Sequence, residues 1–152
     1  DTTTSQRASP VQVAPGTSAV TAIAAGASHS LFTRTGGALW GMGDNAYRQL
    51  GPNGSTFSPN STPALIDINV SSFAAGGAHS LWVSGGLLRA AGNNDFGQLG
   101  TGTTINTPAH STIVVASGVT KVATAYAHTL FLKTDGSLWA TGANASGQLG
   151  DG

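Results

Sequence analysis

The eight residues from Asn94 to Thr101, NDFGQLGT, stand almost unchanged at two other places, as NAYRQLGP from Asn45 and NASGQLGD from Asn144. A loop rewritten about every fifty residues marks a repeated structural unit, and that period points to solenoids, propellers and related arrays. In phase, Val20–Gly51, Val70–Gly100 and Val119–Gly150 align His29 with His79 and His128. They also align Leu39 with Leu88 and Leu138, and Gly43 with Gly92 and Gly142. The second copy is one residue shorter between Leu81 and Gly85, a turn, where a deletion disturbs least.

Each copy reads as strands. Apolar stretches are short and end at Gly, Asn or Asp, and helical periodicity is absent. One strand follows a proline (Pro10, Pro63 or Pro108), where the missing N–H costs no ladder bond. A Val-led run such as VTAIAAG comes next, then HSLFTRT or HTLFLKT. Gly36-Gly37, Gly85-Gly86 or Asp135-Gly136 suits a two-residue hairpin with positive φ, and ALWGMG, LLRAAG or SLWATG closes the unit. The expectation is an all-β chain of four-stranded antiparallel meanders, with residues 1–152 as one repeat domain and repeats near 1–51, 52–100 and 101–152.

A meander of this size leaves a face uncovered, and stacked neighbours cover it. Radial repetition therefore predicts three β-propeller blades, as a partial propeller or part of a larger ring. Leu31, Leu81 and Leu130 are expected as one buried layer, and Leu39, Leu88 and Leu138 as a second. The recurrent loop is then a corner between blades. Its Asn bonds local backbone, its Leu plugs the seam and its Gly permits the turn.

Composition excludes several functions. Only 8% of residues are charged, six basic against six acidic, so no basic face exists for nucleic acid or an anionic membrane. No apolar run is long enough for a spanning helix. With 39% hydrophobic residues and spaced glycines the chain is no disordered tract, and zero cysteines leave no disulfide or thiolate chemistry.

The combination AAGxxHSL, LWxxG, NxxGQLG and TP resembles the repeat of the regulator of chromosome condensation family, over essentially the whole chain. The resemblance implies a propeller of about seven four-stranded blades that serves as a binding platform. The namesake eukaryotic member is a nucleotide-exchange factor for the GTPase Ran and binds chromatin, a plant relative senses ultraviolet light through tryptophans, and a bacterial relative inhibits β-lactamases. Fold alone therefore selects no function. This chain has three repeats, and both ends fall at the same phase of the array. Further blades on the same polypeptide are the favoured expectation, with self-association of copies to close the ring as the other route. It shows no long insertion for reaching into a GTPase, no basic tail, and no cluster among Trp40, Trp82 and Trp139.

Candidate sites follow from where the copies agree and disagree. His29, His79 and His128 repeat, which marks them as structural residues bonding local backbone; His110 does not repeat and reads as exposed. Asp44, Asp95 and Asp135 sit at turns, where Asp caps backbone N–H groups. No nucleophile–base pair, metal spacing or phosphate loop stands out, so no catalytic residue, cofactor or metal site is assigned. Between the last-strand Gly and Gln-Leu-Gly, however, the copies read DNAYR, NNDFG and ANASG. Tyr47, Arg48, Asp95 and Phe96 thus vary on a constant scaffold, and Phe57 stands in the long polar connection from Pro52 to Thr62. These five are the candidate partner-binding residues, with packing into the blade seam as the competing role for Tyr47 and Phe96. The expected function is non-catalytic binding of a protein partner, without nucleic acid or membrane, in a bacterial protein at the cell surface or outside it. The alternatives are a regulator of a small GTPase resembling an exchange factor, and structural blades whose binding face lies elsewhere.

Overall fold

The computed structural model describes residues 4–13, 19–53, 59–107 and 111–152. Every regular element among them is a β-strand. The first sheet is the meander β1 (Val20–Ala25), β2 (His29–Arg34), β3 (Ala38–Gly43) and β4 (Asn60–Asp67). The second is β5 (Val70–Ala75), β6 (His79–Ser84), β7 (Leu87–Gly92) and β8 (Ile113–Ser117). The third carries β9 (Val119–Thr124), β10 (His128–Lys133) and β11 (Leu138–Gly142). All pairs are antiparallel. These are propeller blades, all-β as the repeat pattern requires.

Two local expectations change. The segment after Pro63 does not open the second sheet. It belongs to β4, which pairs with β3, as β8 pairs with β7. The corner loop returns the chain along the second edge of β3, which would otherwise lack partners. Only Ile68 and Asn69 then lead into β5, and Gly118 alone leads from β8 into β9. Residues 10–13 form no strand, and Pro108 lies outside the described residues. The hairpin loop has two residues only in the second sheet, where Ser84 faces Leu87 and both Gly85 and Gly86 have positive φ. In the first sheet Arg34 faces Ala38 across three residues, and the third carries the loop 134–136.

The core lies between sheets, not within them. Leu31, Leu39 and Leu50 pack with Ile66 of the first sheet and with Val70, Trp82 and Ala91 of the second. Leu81, Leu88 and Leu99 repeat the arrangement against Val119 and Phe131 of the third. Alternation along β6 makes this possible: Trp82 points one way, Leu81 and Val83 the other. Trp82 is fully buried because its Nε1–H donates to Asp67 Oδ2 (2.7 Å), a carboxylate on β4 that also meets Arg89 Nε at 3.5 Å.

The third leucine set departs from expectation. Leu138 is 67% exposed, and Leu130 and Leu149 are only half-buried. No sheet covers that face among the described residues. The opposite end shows the complement. Phe73 and Val122 pack against the two cores, while their equivalent Ile23 is 80% exposed. An apolar cavity of about 390 Å³ lies there, lined by Val13, Val20, Ile23 and Phe32 among others.

Two of the repeated histidines, His29 and His79, staple neighbouring sheets through their side chains, rather than bonding local backbone. His29 Nε2 lies 2.9 Å from Ser80 Oγ, and His79 Nε2 lies 3.3 Å from Thr129 Oγ1. Thr129 donates its own hydrogen to the Gln98 carbonyl at 2.8 Å, so it accepts from His79 Nε2–H. The buried Nδ1 of His79 is then the unprotonated nitrogen, and it has no partner among the described residues. Both imidazoles pack against the glycine that ends the leading strand. A Cβ at Gly26 or Gly76 would collide with the ring. Burial lowers the His29 pKa from 6.5 to about 4, against a small opposing pull from Asp44. Burial does the same for His79, to about 4, with His29 and His128 adding repulsion.

Three outcomes are expected. Leu81→Ala should cost roughly 2–5 kcal/mol in chemical denaturation, and Leu138→Ala less than about 1 kcal/mol. Light scattering should show the 152-residue polypeptide associating through its two uncovered faces; a dispersed monomer with a sharp melting transition would contradict this. Lowering pH should destabilise the fold. Between about pH 6.5 and pH 4 the unfolded histidines bind protons that the folded ones refuse, so their contribution is complete above this window and lost as pH falls through it. Each contributes on the order of 2–3 kcal/mol, and thermal melts of His79→Gln should show a lower but flatter pH profile.

Candidate functional site

The recurrent corner builds one end of each sheet through identical bonds. Asn45, Asn94 and Asn144 each accept through Oδ1 from the backbone N–H of Leu50, Leu99 and Leu149, at 2.8, 2.9 and 3.0 Å. Gln49, Gln98 and Gln148 each accept through Oε1 from the N–H two residues earlier, at 3.0, 2.9 and 2.8 Å. Gln49 Nε2 then donates to Asp44 Oδ2 (2.9 Å), and Gln98 Nε2 to Asn93 Oδ1 (2.6 Å). The constant residues are thus turned inward: Leu50, Leu99, Gln49 and Asn94 are completely buried. Tyr47, Asp95 and Phe96, which vary between the copies, point out.

Arg48 occupies a left-handed position at φ 71°, where the other copies place Gly97 and Gly147 at 77° and 71°. An L side chain there costs about 1 kcal/mol, which glycine avoids.

The outward residues meet in a cleft of about 290 Å³ that crosses all three sheets. The first sheet contributes Asp44, Tyr47 and the turn at 27–28; the second contributes Asn93, Asp95, Phe96 and Gln98; the third contributes Tyr126. The segments beneath are bonded across sheets, Ala27 N–H to Gly76 O at 3.3 Å and Gly77 N–H to Tyr126 O at 3.0 Å. The Tyr126 ring lies over Gly77, where a Cβ would strike it. Tyr47, Phe96 and Tyr126 are 42%, 58% and 77% exposed. Asp44 caps the Ala46 N–H at 3.1 Å, whereas Asp95 accepts from the Asn93 side chain at 2.8 Å instead of capping backbone.

Tyr47, Asp95 and Phe96, picked out by their variation, therefore lie in one cleft. Arg48 adjoins it without lining it, and Phe57 and His110 lie outside the described residues. Tyr126 was missed, although the same comparison marks it: Ala27 and Gly77 hold its place in the other copies. Asp44, besides capping its turn, also lines the cleft. No three His, Asp or Glu among the described residues are grouped to hold a metal.

Sequence profiles of the regulator of chromosome condensation (RCC1) repeat match residues 20–49 and 119–148, and residues 36–83 and 86–132. No curated protein matches significantly. Among solved structures, human WBSCR16 is 27% identical with a TM-score of 0.74, over 86% of this chain and 37% of that one. Yeast RCC1 (Prp20), in complex with Kap60, is 23% identical with a TM-score of 0.67, over 86% of this chain and 33% of that one. Prp20p from Saccharomyces cerevisiae, studied with its binding to Gsp1p and histones, is 22% identical with a TM-score of 0.67, over 88% of this chain and 34% of that one. The chain thus spans about a third of the length of these structures. The repeat profiles cover well over half of its residues, and it belongs to the regulator of chromosome condensation repeat family.

Proposed function

We propose that the chain is a non-catalytic protein-binding segment of a propeller, acting as one repeat domain, with the Tyr47–Phe96–Tyr126 cleft as its contact surface. One observation carries this reading. Tyr47, Asp95, Phe96 and Tyr126, positions at which the copies depart from one another, converge on a single concave surface, while Asn45, Gln49, Leu50, Asn94 and Leu99 of the same loops are buried in scaffold bonds. Variation at one place on a fixed frame is how a repeat array acquires a specific partner. The exposed aromatic rings supply contact area at little entropic cost. Protein partners also accompany the yeast relative, in the complex with Kap60 and in binding to Gsp1p and histones. Arg48, on its left-handed backbone beside Tyr47, is a further contact in this proposal.

Regulation of a small GTPase is the competing reading; at 23% identity the yeast likeness supports the fold alone. Accelerated nucleotide release from a panel of small GTPases would favour it.

The test copies what another repeat already carries. Tyr47→Ser and Phe96→Ser both restore the residue found at Ser146. Each should leave the melting temperature unchanged and weaken retention of a partner bound by the wild-type chain at least about tenfold. A melting temperature lowered by several degrees in both would place the rings in the seam between sheets instead.

A further inference from the structure

We infer that the cleft receives the guanidinium group of an arginine carried on an extended segment of the partner; this rests on the protein-binding reading above. Its walls combine two carboxylates, Asp44 and Asp95, with three exposed rings, Tyr47, Phe96 and Tyr126. No Lys or Arg is among the residues that line it; Arg48, next to Tyr47 in the same turn, adjoins it, so the carboxylates outnumber the one neighbouring cation by two to one. Arg34 and Lys133 stand at the far ends of β2 and β10, over the rings of Trp40 and Trp139. Those strands begin beside the cleft at His29 and His128, so the two cations lie five residues, roughly 17 Å, away.

The carboxylates are fixed before any ligand arrives. Asp44 is held by the Ala46 N–H and Gln49 Nε2, one on each oxygen. Asp95 Oδ2 is held by Asn93 Nδ2, and Oδ1 has no partner among the described residues. Each oxygen offers two lone pairs, so acceptor capacity remains on both groups. Aromatic faces attract cations, and a planar guanidinium can stack on a ring while donating in its own plane to a carboxylate. An ammonium cannot stack this way, so lysine fits less well. A purely apolar side chain would strip water from the two carboxylates without replacing its hydrogen bonds, and an anion would be repelled.

The internal repeats supply substitutions of known fit. Asp44→Asn copies Asn93, and Asp95→Ala copies Ala145. The 15N-labelled chain would be titrated with four blocked peptides, Gly-Ser-X-Gly, in which X is arginine, citrulline, lysine or glutamate. The arginine peptide should shift the amide resonances of residues 44–47, 93–98 and 126–127. It should bind at least about tenfold more tightly than the isosteric but uncharged citrulline peptide, and lysine should fall between them. Each Asp substitution should weaken the arginine peptide about five- to tenfold at unchanged melting temperature, and raised salt should weaken it further. Equal binding of arginine and citrulline in the cleft would overturn the cationic inference and leave the contact surface standing. Shifts away from the cleft, or no shift with the arginine peptide, would also overturn it. Partner retention unaffected by Tyr47→Ser and Phe96→Ser would be the separate failure of the broader reading.

Discussion

The structure depends on leucines that no sheet can bury by itself. The first two copies each point three of them, Leu31, Leu39 and Leu50 or Leu81, Leu88 and Leu99, out of their own sheet toward the next. Buried side chains of this size contribute about 1.5–3 kcal/mol each, so a seam between two sheets outweighs any contact within one. Strand alternation follows from this demand, because β6 must serve the first seam with Trp82 and the second with Leu81 and Val83. The histidine–hydroxyl bonds and the Trp82–Asp67 bond add direction to a contact that leucines alone would leave free to slide.

The recurrent loop answers the same demand and opens a second possibility. Its Asn and Gln side chains fold the corner upon itself, which drives the third leucine into the seam. With geometry set by inward residues, the outward positions are free to differ. Tyr47, Phe96 and Ser146 occupy one such position over the same corner bonds. Arg48 is the exception, since it holds a backbone conformation that suits glycine.

Much of the fold was legible because alternation and turn glycines are local signals. The strands from Val20, His29 and Ala38, and their equivalents, could be read directly. Pairing could not: alternation shows which way Leu65 and Ile66 point but not that their strand lies against β3. Nor could the exposure of Leu138, because aligned residues differ when one has a neighbouring sheet and the other has none. The hydroxyl partners of His29 and His79 lie 51 and 50 residues along the chain, beyond any local pattern. Within the cleft, Tyr47, Asp95 and Phe96 were legible as departures from the repeat. Tyr126 escaped because its segment reads as the end of a strand, although Ala27 and Gly77 hold the same place elsewhere.

The histidine bonds between sheets run from one copy to the copy that follows, from His29 to Ser80 and from His79 to Thr129, a ring nitrogen meeting a hydroxyl at each step. A duplicated stretch of the gene spanning one repeat would therefore encode a sheet whose two faces already match those on either side. Its histidine would find the next hydroxyl, and its leucines the next seam. Arrays of this design can lengthen or shorten by recombination between copies without compensating substitutions, and each new copy brings its own outward positions, which can change independently of stability.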